Sequence, residues 1–410
     1  MVRIISFELK KILRSKLTVG VVLVGFLLII YSFLPKMIKY SFYDDDGNLL
    51  KRHQAVSYEK GLAKEMFNKV QTNEEIQSNI NKLKEEYIVE KNKTGYEFNK
   101  ALPKDIYYGF YKPREKYFNW IAQNYAAGPS EYWNPHDLML RFDELNNFYE
   151  QRQQKVQKQL GSMRYSEIEK KFWEERADVT KGPYKYGYFS GWYYIDESLD
   201  MFALVILAIG IAISSVYSSE HETEADAVLL SSKYGRTKLV TGKIIASLIF
   251  AVFTVLLGVL LCIIPILLFF GSEGWNLPIQ VLNTDILYEW DLLKTIEVRV
   301  FMIILSSLVV TAIGLTLSSL IKKTTPAVVI VIMLYIGGLF VPTEKGSKLY
   351  QMIVKFLPVF LGGRQYYGFV GYPAFGKMYT FFGIATRIYV LLIFILLPIS
   401  GMIFKKHQVK

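Results

Sequence analysis

Residues 220–243 read E-H-E-T-E-A-D-A-V-L-L-S-S-K-Y-G-R-T-K-L-V-T-G-K and separate two long apolar segments of the chain. The first half of this stretch is acidic and the second half is basic, with the apolar residues 228–230 between them. Carboxylates near the start of a helix are favoured by its dipole, and Gly235 can end such a helix. The stretch therefore predicts a short amphipathic helix that begins near Glu220 and lies at a membrane face. An ordinary charged loop fits the same pattern.

The composition is that of a membrane protein. The chain has 410 residues, 51% of them hydrophobic, and a formal net charge of +11. Soluble domains rarely combine such an apolar fraction with long uncharged runs. A basic excess can indicate a nucleic-acid partner, but Lys and Arg are concentrated here on one side of the apolar segments, as cytoplasmic loops require. The distribution argues against nucleic acid and predicts a multi-pass protein of a cell membrane. The Tyr-, Lys- and Ile-rich composition favours a Gram-positive plasma membrane.

The first 16 residues, M-V-R-I-I-S-F-E-L-K-K-I-L-R-S-K, alternate apolar and basic side chains at helical spacing. Such a pattern is typical of an amphipathic helix on an anionic leaflet, so residues 1–16 are expected to form a cytoplasmic interfacial helix. Residues 17–34 are then long enough to span the membrane. A secretory signal peptide is the competing interpretation, but no small-residue cleavage site follows this segment, which ends before Pro35. We expect an uncleaved first membrane helix with a cytoplasmic amino terminus.

Residues 35–198 differ in kind, because charges are dense, aromatic residues are abundant and no apolar run reaches membrane length. Two capping patterns, Thr72-x-x-Glu75 and Ser166-x-x-Glu169, predict the starts of helices. Apolar residues recur at helical spacing in two further places, and these are Ile76, Ile80, Leu83 and Tyr87 in one stripe and Leu138, Phe142, Leu145 and Tyr149 in the other. With a cytoplasmic amino terminus, this region is predicted to be a mainly helical extracytoplasmic domain, large enough for its own core.

Five further apolar segments follow the domain, and they are residues 199–217, 244–270, 299–321, 326–342 and 387–404. The connection 218–243 and the Lys322-Lys323 turn carry basic residues, whereas 271–298 is predominantly acidic. The basic connections are therefore cytoplasmic. The predicted fold class is an all-α polytopic membrane protein with six transmembrane helices and both termini in the cytoplasm.

Proline and glycine mark the later part of the chain. Pro326 suits the first turn of its helix, and Pro265 and Pro398 are predicted to kink theirs. Residues 343–386 are semi-apolar and rich in glycine and aromatic residues, but too short and interrupted to span twice. We expect them to form an external re-entrant or interfacial pair of helices.

Motifs for chemistry are mostly absent from the sequence. His221-Glu222 begins like the zinc motif H-E-x-x-H, but Ala225 stands where the second histidine is required. Gly242-Lys243 is similar to the end of a phosphate-binding loop, but Ile244 replaces the Ser or Thr. The later spans contain essentially no charged residues in their interiors, where ion-coupled transporters usually need them. The sequence therefore predicts no catalytic residue, metal site or ATP site, and uphill transport would draw its energy from a partner.

The stretch 220–243 resembles a segment of ABC-2-type transporter permeases. These proteins carry a pattern near E-x-G-T-x-x-x-L-L-x-T-P-x-S-R-x-x-I-x-x-G-K between their second and third membrane helices. This chain matches that register without a gap at Glu222, Leu229, Leu230, Ser232, Gly235, Arg236, Leu239, Gly242 and Lys243. It departs from the pattern at Glu224-Ala225, which replaces Gly-Thr, and at Lys233, which replaces Pro. With the interfacial helix, the spans and the re-entrant element, the resemblance covers residues 1–34 and 199–410.

In that family the segment is a coupling helix that docks on a separate ATP-binding subunit. The resemblance implies this role for a group of acidic, apolar and basic residues, namely Glu220, Glu222, Glu224, Leu229, Leu230, Gly235, Arg236 and Lys243. It places ATP and Mg on the partner subunit and no cofactor in this chain. It further implies contact with membrane lipids and a second permease chain, identical or related, near the first and fifth spans. Four glycines in those spans would allow close approach, and they are Gly20, Gly25, Gly337 and Gly338.

Three functions follow from these observations. The first is the transmembrane permease subunit of an ATP-driven exporter of an amphipathic substrate, such as a peptide or a lipid. The alternative is an ABC-type mechanotransmitter or sensor that acts on an envelope partner through its ectodomain. The third, a membrane-embedded enzyme, has no visible catalytic constellation to support it.

Overall fold

A computed structural model of the chain describes residues 1–66, 68–94, 107–125, 146–162, 165–232, 234–341, 347–374 and 376–406. Helix makes up 74% of the structure, as the apolar periodicity predicts. Part of the predicted second stripe (Leu138, Phe142 and Leu145), Lys233 and the side chain of Tyr87 lie outside what is described.

Sixteen α-helices lie in the described residues. In chain order they are α1 (Val2–Arg14), α2 (Lys16–Ile38), α3 (His53–Met66), α4 (Asn73–Thr94), α5 (Glu115–Ala122), α6 (Phe148–Ser162), α7 (Glu167–Val179), α8 (Ser190–Ser198), α9 (Phe202–Ile213), α10 (Ser218–Glu222), α11 (Ala225–Ser231), α12 (Val240–Phe270), α13 (Leu292–Leu320), α14 (Thr324–Leu339), α15 (Lys348–Val354) and α16 (Phe381–Lys405). Three antiparallel pairs of three-residue strands accompany them, namely β1 (Ser41–Tyr43) with β2 (Leu49–Lys51), β3 (Lys69–Gln71) with β4 (Tyr184–Tyr186) and β5 (Tyr372–Ala374) with β6 (Lys377–Tyr379).

Five helical stretches of the described chain are long and apolar enough to cross a membrane. They are Lys16–Ile38, Ser190–Glu222, Gly235–Phe270, Leu292–Leu320 and Phe381–Lys405. The span predicted at 326–342 corresponds to α14, a 16-residue helix of about 24 Å, shorter than the ~30 Å hydrocarbon core of a bilayer. The six-span count therefore stays a prediction, with five long helices and one short apolar helix observed. Pro326 lies in the first turn of α14, as expected.

The apolar helices begin earlier than their predicted runs, and two of these extensions concern charged residues. The helix predicted at 199–217 starts at Ser190, because α8 is buried against α12 and runs through a 3₁₀ turn into α9. The helix predicted at 299–321 starts at Leu292, because the carboxylate of Asp291 accepts the backbone N–H of Lys294 at 2.6 Å and caps it. These extensions place Asp196, Asp200 and Arg299 within the long helices. The expectation that the later spans lack charged residues in their interiors is thus wrong for Arg299.

The amino-terminal helix forms as predicted and is separate from the first span. Ser15 is extended between α1 and α2, and its hydroxyl accepts the N–H of Thr18. The first span continues past Pro35 to Ile38 instead of ending at residue 34. Pro265 and Pro398 lie inside α12 and α16, which are continuous through them.

The large region between the first two spans forms the predicted helices at both capping patterns. Thr72 Oγ1 accepts the N–H of Glu75, and Ser166 Oγ accepts the N–H of Glu169, each at 3.3 Å. The stripe after Thr72 is buried, since Ile76, Ile80 and Leu83 are at most 2% exposed.

The core of this region is completed by the connection between α12 and α13. Trp120 is buried among aromatic rings, and its indole N–H donates to the carbonyl of Gln280 at 2.9 Å. Arg152, fully buried, donates to the carbonyl of Thr284 at 2.9 Å. Lys155 pairs with Asp285 at 2.8 Å. The large domain is therefore built from more than one stretch of the sequence, and its buried residues are continuous with those of the helix bundle.

The described part of 343–386 contains α15, two single 3₁₀ turns and the β5–β6 hairpin, where a pair of helices was expected. The turn Pro358–Phe360 enters the bundle, because the hydroxyl of Ser306 donates to the carbonyl of Pro358 at 2.8 Å. The hairpin instead reaches the large domain, where Glu169 accepts the N–H of Gly371 at 3.1 Å. This segment thus joins the bundle to the domain.

Candidate functional site

The segment 218–243 folds as two short helices and a turn, not as the one continuous helix that its sequence suggests. The helix is interrupted between α10 and α11, where Glu224 adopts a left-handed conformation with φ of 57°. The imidazole Nδ1 of His221 lies 2.8 Å from a carboxylate oxygen of Asp226, and both side chains are buried. This contact joins the two helices across the break.

Gly235 has a role other than ending the helix. The helix α11 ends at Ser231, and Gly235 opens the π-helical turn Gly235–Leu239. A Cβ atom at this position would lie 1.7 Å from the carbonyl oxygen of Leu229. Only glycine fits here, because the backbone of the turn packs directly on the end of α11.

A buried ionic cluster joins this segment to the amino-terminal helix, and we call it the Lys243 cluster (Glu8, Lys11, Glu220 and Lys243). The fully buried ammonium of Lys243 lies 2.7 Å from a carboxylate oxygen of Glu8 and 2.5 Å from one of Glu220. Lys11 reaches the same oxygen of Glu220 at 2.6 Å from a half-exposed position. Buried charges require such partners, since an unpaired one is costly.

The preceding glycine allows this approach. A Cβ atom at Gly242 would come within 2.7 Å of the side chain of Ile4, so α1 packs closely on the start of α12 at that point. The Gly242-Lys243 pair thus has a structural explanation in the docking of α1, and no phosphate is needed to account for it.

Glu222 links the segment to the short helix. Its side-chain oxygen Oε2 accepts the backbone N–H of Thr324, the first residue of α14, at 3.1 Å. The first N–H groups of a helix lack intrahelical partners, and a carboxylate there is also favoured by the helix dipole. The segment is thereby tied to three helices of the bundle, namely α1, α12 and α14.

The eight residues implied by resemblance divide into inward-facing and exposed groups. The structure buries Glu220, Leu230, Gly235 and Lys243, half-buries Leu229, and exposes Glu222, Glu224 and Arg236. The neighbouring Val228 is 74% exposed although it is apolar. The outer surface of the segment therefore consists of α11 around Val228 and the π-helical turn with Arg236.

A second ionic cluster, not expected from the sequence, lies at the other end of the bundle. We call it the Arg299 cluster (Asp196, Asp200, Arg299, Arg364 and Tyr366). The fully buried guanidinium of Arg299 contacts Asp196 at 2.6 Å and Asp200 at 2.5 Å. Arg364 contacts Asp196 at 3.2 Å, and the hydroxyl of Tyr366 donates to the same carboxylate at 2.7 Å.

The Arg299 cluster also holds the backbone of the segment that enters the bundle. Arg299 Nη2 donates to the carbonyl of Gly362 at 3.0 Å. The one sequence feature that could have indicated this cluster is the four-residue spacing of Asp196 and Asp200, since residues so spaced share one face of a helix. Their partner could not be inferred, because Arg299 lies about 100 positions away in the chain.

Five long apolar helices with a charged connection at one end define a multi-pass membrane protein, and residues 2–354 match the model of the ABC-2 family transporter protein. The chain belongs to the ABC-2 family. It has no significant match among curated proteins or among solved structures. Family membership makes the chain a membrane component of an ABC transporter, and it implies association with a separate ABC ATPase subunit.

Proposed function

We propose that this chain is the permease subunit of an ATP-driven exporter of an amphipathic substrate, and that residues 218–243 couple it to the ATPase. Family membership supports the class of protein. The observation that carries the coupling role is the attachment of one exposed segment to three helices through buried charges and a helix cap. A displacement of that segment would be transmitted to the bundle.

The attachments act through different helices. Glu220 and Lys243 connect the segment to α12 and, through Glu8, to α1. Glu222 connects it to α14, which packs on α9 and on the turn that enters the bundle. A partner that pushes on α11 would therefore move several helices together, which is what a coupling element must do.

The proposed docking surface comprises Glu224, Val228, half-buried Leu229 and Arg236. An exposed apolar residue between charges of both signs is typical of a protein contact, where an apolar centre is surrounded by a polar rim. The buried residues Glu220, Leu230, Gly235 and Lys243 then shape the segment and do not touch the partner.

The test is a double charge reversal on this surface. Glu224→Lys with Arg236→Glu replaces two exposed charges without touching the Lys243 cluster, so the fold should persist while ATPase binding weakens. The tagged permease is purified from native membranes, and mass spectrometry measures the recovery of a subunit that carries an ATP-binding P-loop. We expect recovery to fall strongly.

The matched control reverses an exposed pair at the other end of the bundle. Lys294 and Glu297 are 55% and 54% exposed and lie 3.2 Å apart on α13, and Lys294→Glu with Glu297→Lys should leave ATPase recovery unchanged. Equal recovery from both double variants, with ATP-driven transport intact, would refute docking at this surface.

The large domain is proposed to be extracytoplasmic, because α1 is basic and amphipathic and lies at the opposite end of the bundle.

One observation favours the alternative function, an ABC-type mechanotransmitter or sensor acting on an envelope partner. The domain is continuous with the bundle, since α8 runs from it through a 3₁₀ turn into α9 and Trp120 bonds to the α12–α13 connection. Helix movement would then move the domain.

A second permease chain, identical or related, is proposed to complete the transport path. An ATPase that closes as a dimer needs two docking segments, and this chain supplies one. The glycines of the first and fifth predicted spans divide in a way that fits this proposal. Gly25 and Gly338 pack against residues of their own chain, whereas a Cβ atom at Gly20 or Gly337 would meet no atom of the described residues within 4 Å. Gly20, in the first span, is therefore available for contact with a helix of the second chain.

A further inference from the structure

An apolar cavity of about 180 Å³ lies within the helix bundle, at the turn that enters it. Val310 and Ile313 of α13 form one wall, and Val331 and Tyr335 of α14 form another. Leu357, Pro358 and Val359, at the start of the turn Pro358–Phe360, form the third wall. Engineered apolar cavities of roughly 150 Å³ bind benzene-sized molecules, so this one has room for an apolar group of that size or for several carbons of a chain.

The chemistry of the walls defines what can occupy the cavity. Among the described residues that line the cavity none is charged, and only Tyr335 has a polar side chain. Its hydroxyl is buried and has no hydrogen-bond partner in the described part of the chain. A charged or strongly polar group would lose its hydration here without compensation. The cavity is therefore suited to a hydrocarbon group.

The position of the cavity defines where the occupant comes from. Leu334 lines the cavity and is 59% exposed, so the cavity reaches the outer surface of α14. That surface is apolar, and Met333 beside the opening is 67% exposed. In a membrane-spanning protein such a surface faces lipid tails, which makes the bilayer the direct source of the occupant.

We propose that this cavity binds the hydrocarbon chain of an amphiphile that enters from the lipid bilayer between α13 and α14. Val359 forms part of the floor and is only 7% exposed. A lipid chain can touch Val359 only from within the cavity, whereas Met333 is reached from the surrounding bilayer. The proposal depends on the membrane placement of the helices and on a second permease chain leaving this face of α14 open to lipid, not on transport direction or on the ATPase contact.

The test is photolabelling of the purified chain in liposomes. The probe is a phospholipid with a diazirine near the methyl end of one acyl chain, and mass spectrometry identifies the labelled residues. We expect labelling of Val359 as well as Met333. A probe with the diazirine in its headgroup should not label Val359. Absence of tail-probe labelling at Val359, or equal labelling there by the headgroup probe, would overturn the proposal.

Variants of the cavity separate its occupation from general lipid contact. Ile313→Trp fills the cavity and Leu334→Trp obstructs its opening, so each should abolish labelling of Val359 while labelling of Met333 persists. Leu334→Trp changes an exposed position, which keeps the test valid if the buried variant does not fold. Met333→Trp is the matched control and should leave Val359 labelled. Persistent labelling of Val359 in folded Leu334→Trp protein would refute entry at this opening.

The Tyr335 hydroxyl provides a final distinction. Tyr335→Phe keeps the apolar surface of the cavity and removes the lone polar group of its walls. A hydrocarbon occupant does not need that group, so labelling of Val359 should be retained. Loss of labelling in a folded Tyr335→Phe protein would show that the occupant is bound through a polar group, contrary to the proposal.

Discussion

At the scale of single residues, the Lys243 cluster illustrates how a buried charge can fix the position of a helix. Glu8 is 3% exposed, and its carboxylate reaches Lys243 from a different helix. Ion pairs at a surface contribute little to stability, whereas breaking a buried pair leaves an uncompensated charge. The attachment of α1 to residues 218–243 is therefore expected to depend strongly on this contact.

Replacing Lys243 by methionine tests that dependence. Lys243→Met leaves the carboxylate of Glu8 buried without its ammonium partner, which typically costs about 3–5 kcal/mol. We expect a lower midpoint in thermal unfolding of the detergent-purified protein and loss of α1 protection in hydrogen exchange.

Two comparisons make this result specific. The exposed Lys238→Met should lower the midpoint much less, since the contact of Lys238 with the ring of Tyr234 lies at the surface and contributes only about 0.5–1 kcal/mol. Glu8→Gln combined with Lys243→Met should recover part of the lost stability, because it removes the unpaired charge. An unchanged midpoint in Lys243→Met alone would contradict the role assigned to the cluster.

At the scale of secondary-structure elements, the Arg299 cluster connects two long helices to the segment between the short helix and the last span. Asp196 and Asp200 belong to the helical stretch that begins at Ser190, and Arg299 belongs to α13. The carbonyl of Gly362 is held by Arg299 at 3.0 Å. The turn Pro358–Phe360, which lies beside the apolar cavity, is only two residues from Gly362 in the sequence. It is therefore held near the Arg299 cluster.

Removal of the guanidinium should release that segment. Hydrogen bonds to charged groups contribute roughly 1.5–3 kcal/mol, so Arg299→Met should speed amide exchange in residues 362–368 by about tenfold or more. Hydrogen–deuterium exchange with mass spectrometry measures this directly. Arg387→Met is the control, since exposed Arg387 donates to Gly383 within its own helix. Equal exchange rates in wild type and Arg299→Met would show that the segment is held by packing alone.

At the scale of the whole molecule, the two ends of the bundle differ in what they carry. One end holds α1, residues 218–243 and the end of α16, and the other holds the large domain with its added connections. The family model extends from residue 2 to residue 354, so the domain lies within the matched region. The proposed orientation places α1 in the cytoplasm and the domain outside.

Accessible cysteines at the two ends test this orientation. Gly161 and Lys406 are exposed, and a Cβ atom at Gly161 would meet no atom of the described residues within 4 Å. In a Cys262→Ser background, Gly161→Cys should react with a membrane-impermeant maleimide on intact protoplasts. Lys406→Cys should react only after permeabilisation. The reverse pattern would invert the proposed topology.

Much of the helical framework could be predicted from the sequence, because hydropathy and capping are properties of contiguous residues. The long apolar runs, the separate amphipathic α1 and the helix starts after Thr72 and Ser166 all follow from local patterns. The family resemblance also rested on a contiguous stretch, Glu222 to Lys243, and the match of residues 2–354 confirms it.

Features that depend on distant residues were decided by the tertiary structure. In the sequence, nothing distinguishes Lys243 and Glu220 from exposed charges, and only the structure shows that they are buried beside Glu8. The sequence likewise places Arg299 at the edge of a predicted span, and only the structure shows that it pairs with Asp196 and Asp200. The sequence alone could not separate Gly25, which packs on Val205, from Gly20, where an added Cβ atom would meet no described residue within 4 Å. The physical reason is that the free energy of burying a charge depends on the oppositely charged side chain that pairs with it. The space around a glycine likewise depends on the residue packed against it, and in both cases that residue comes from a distant part of the sequence.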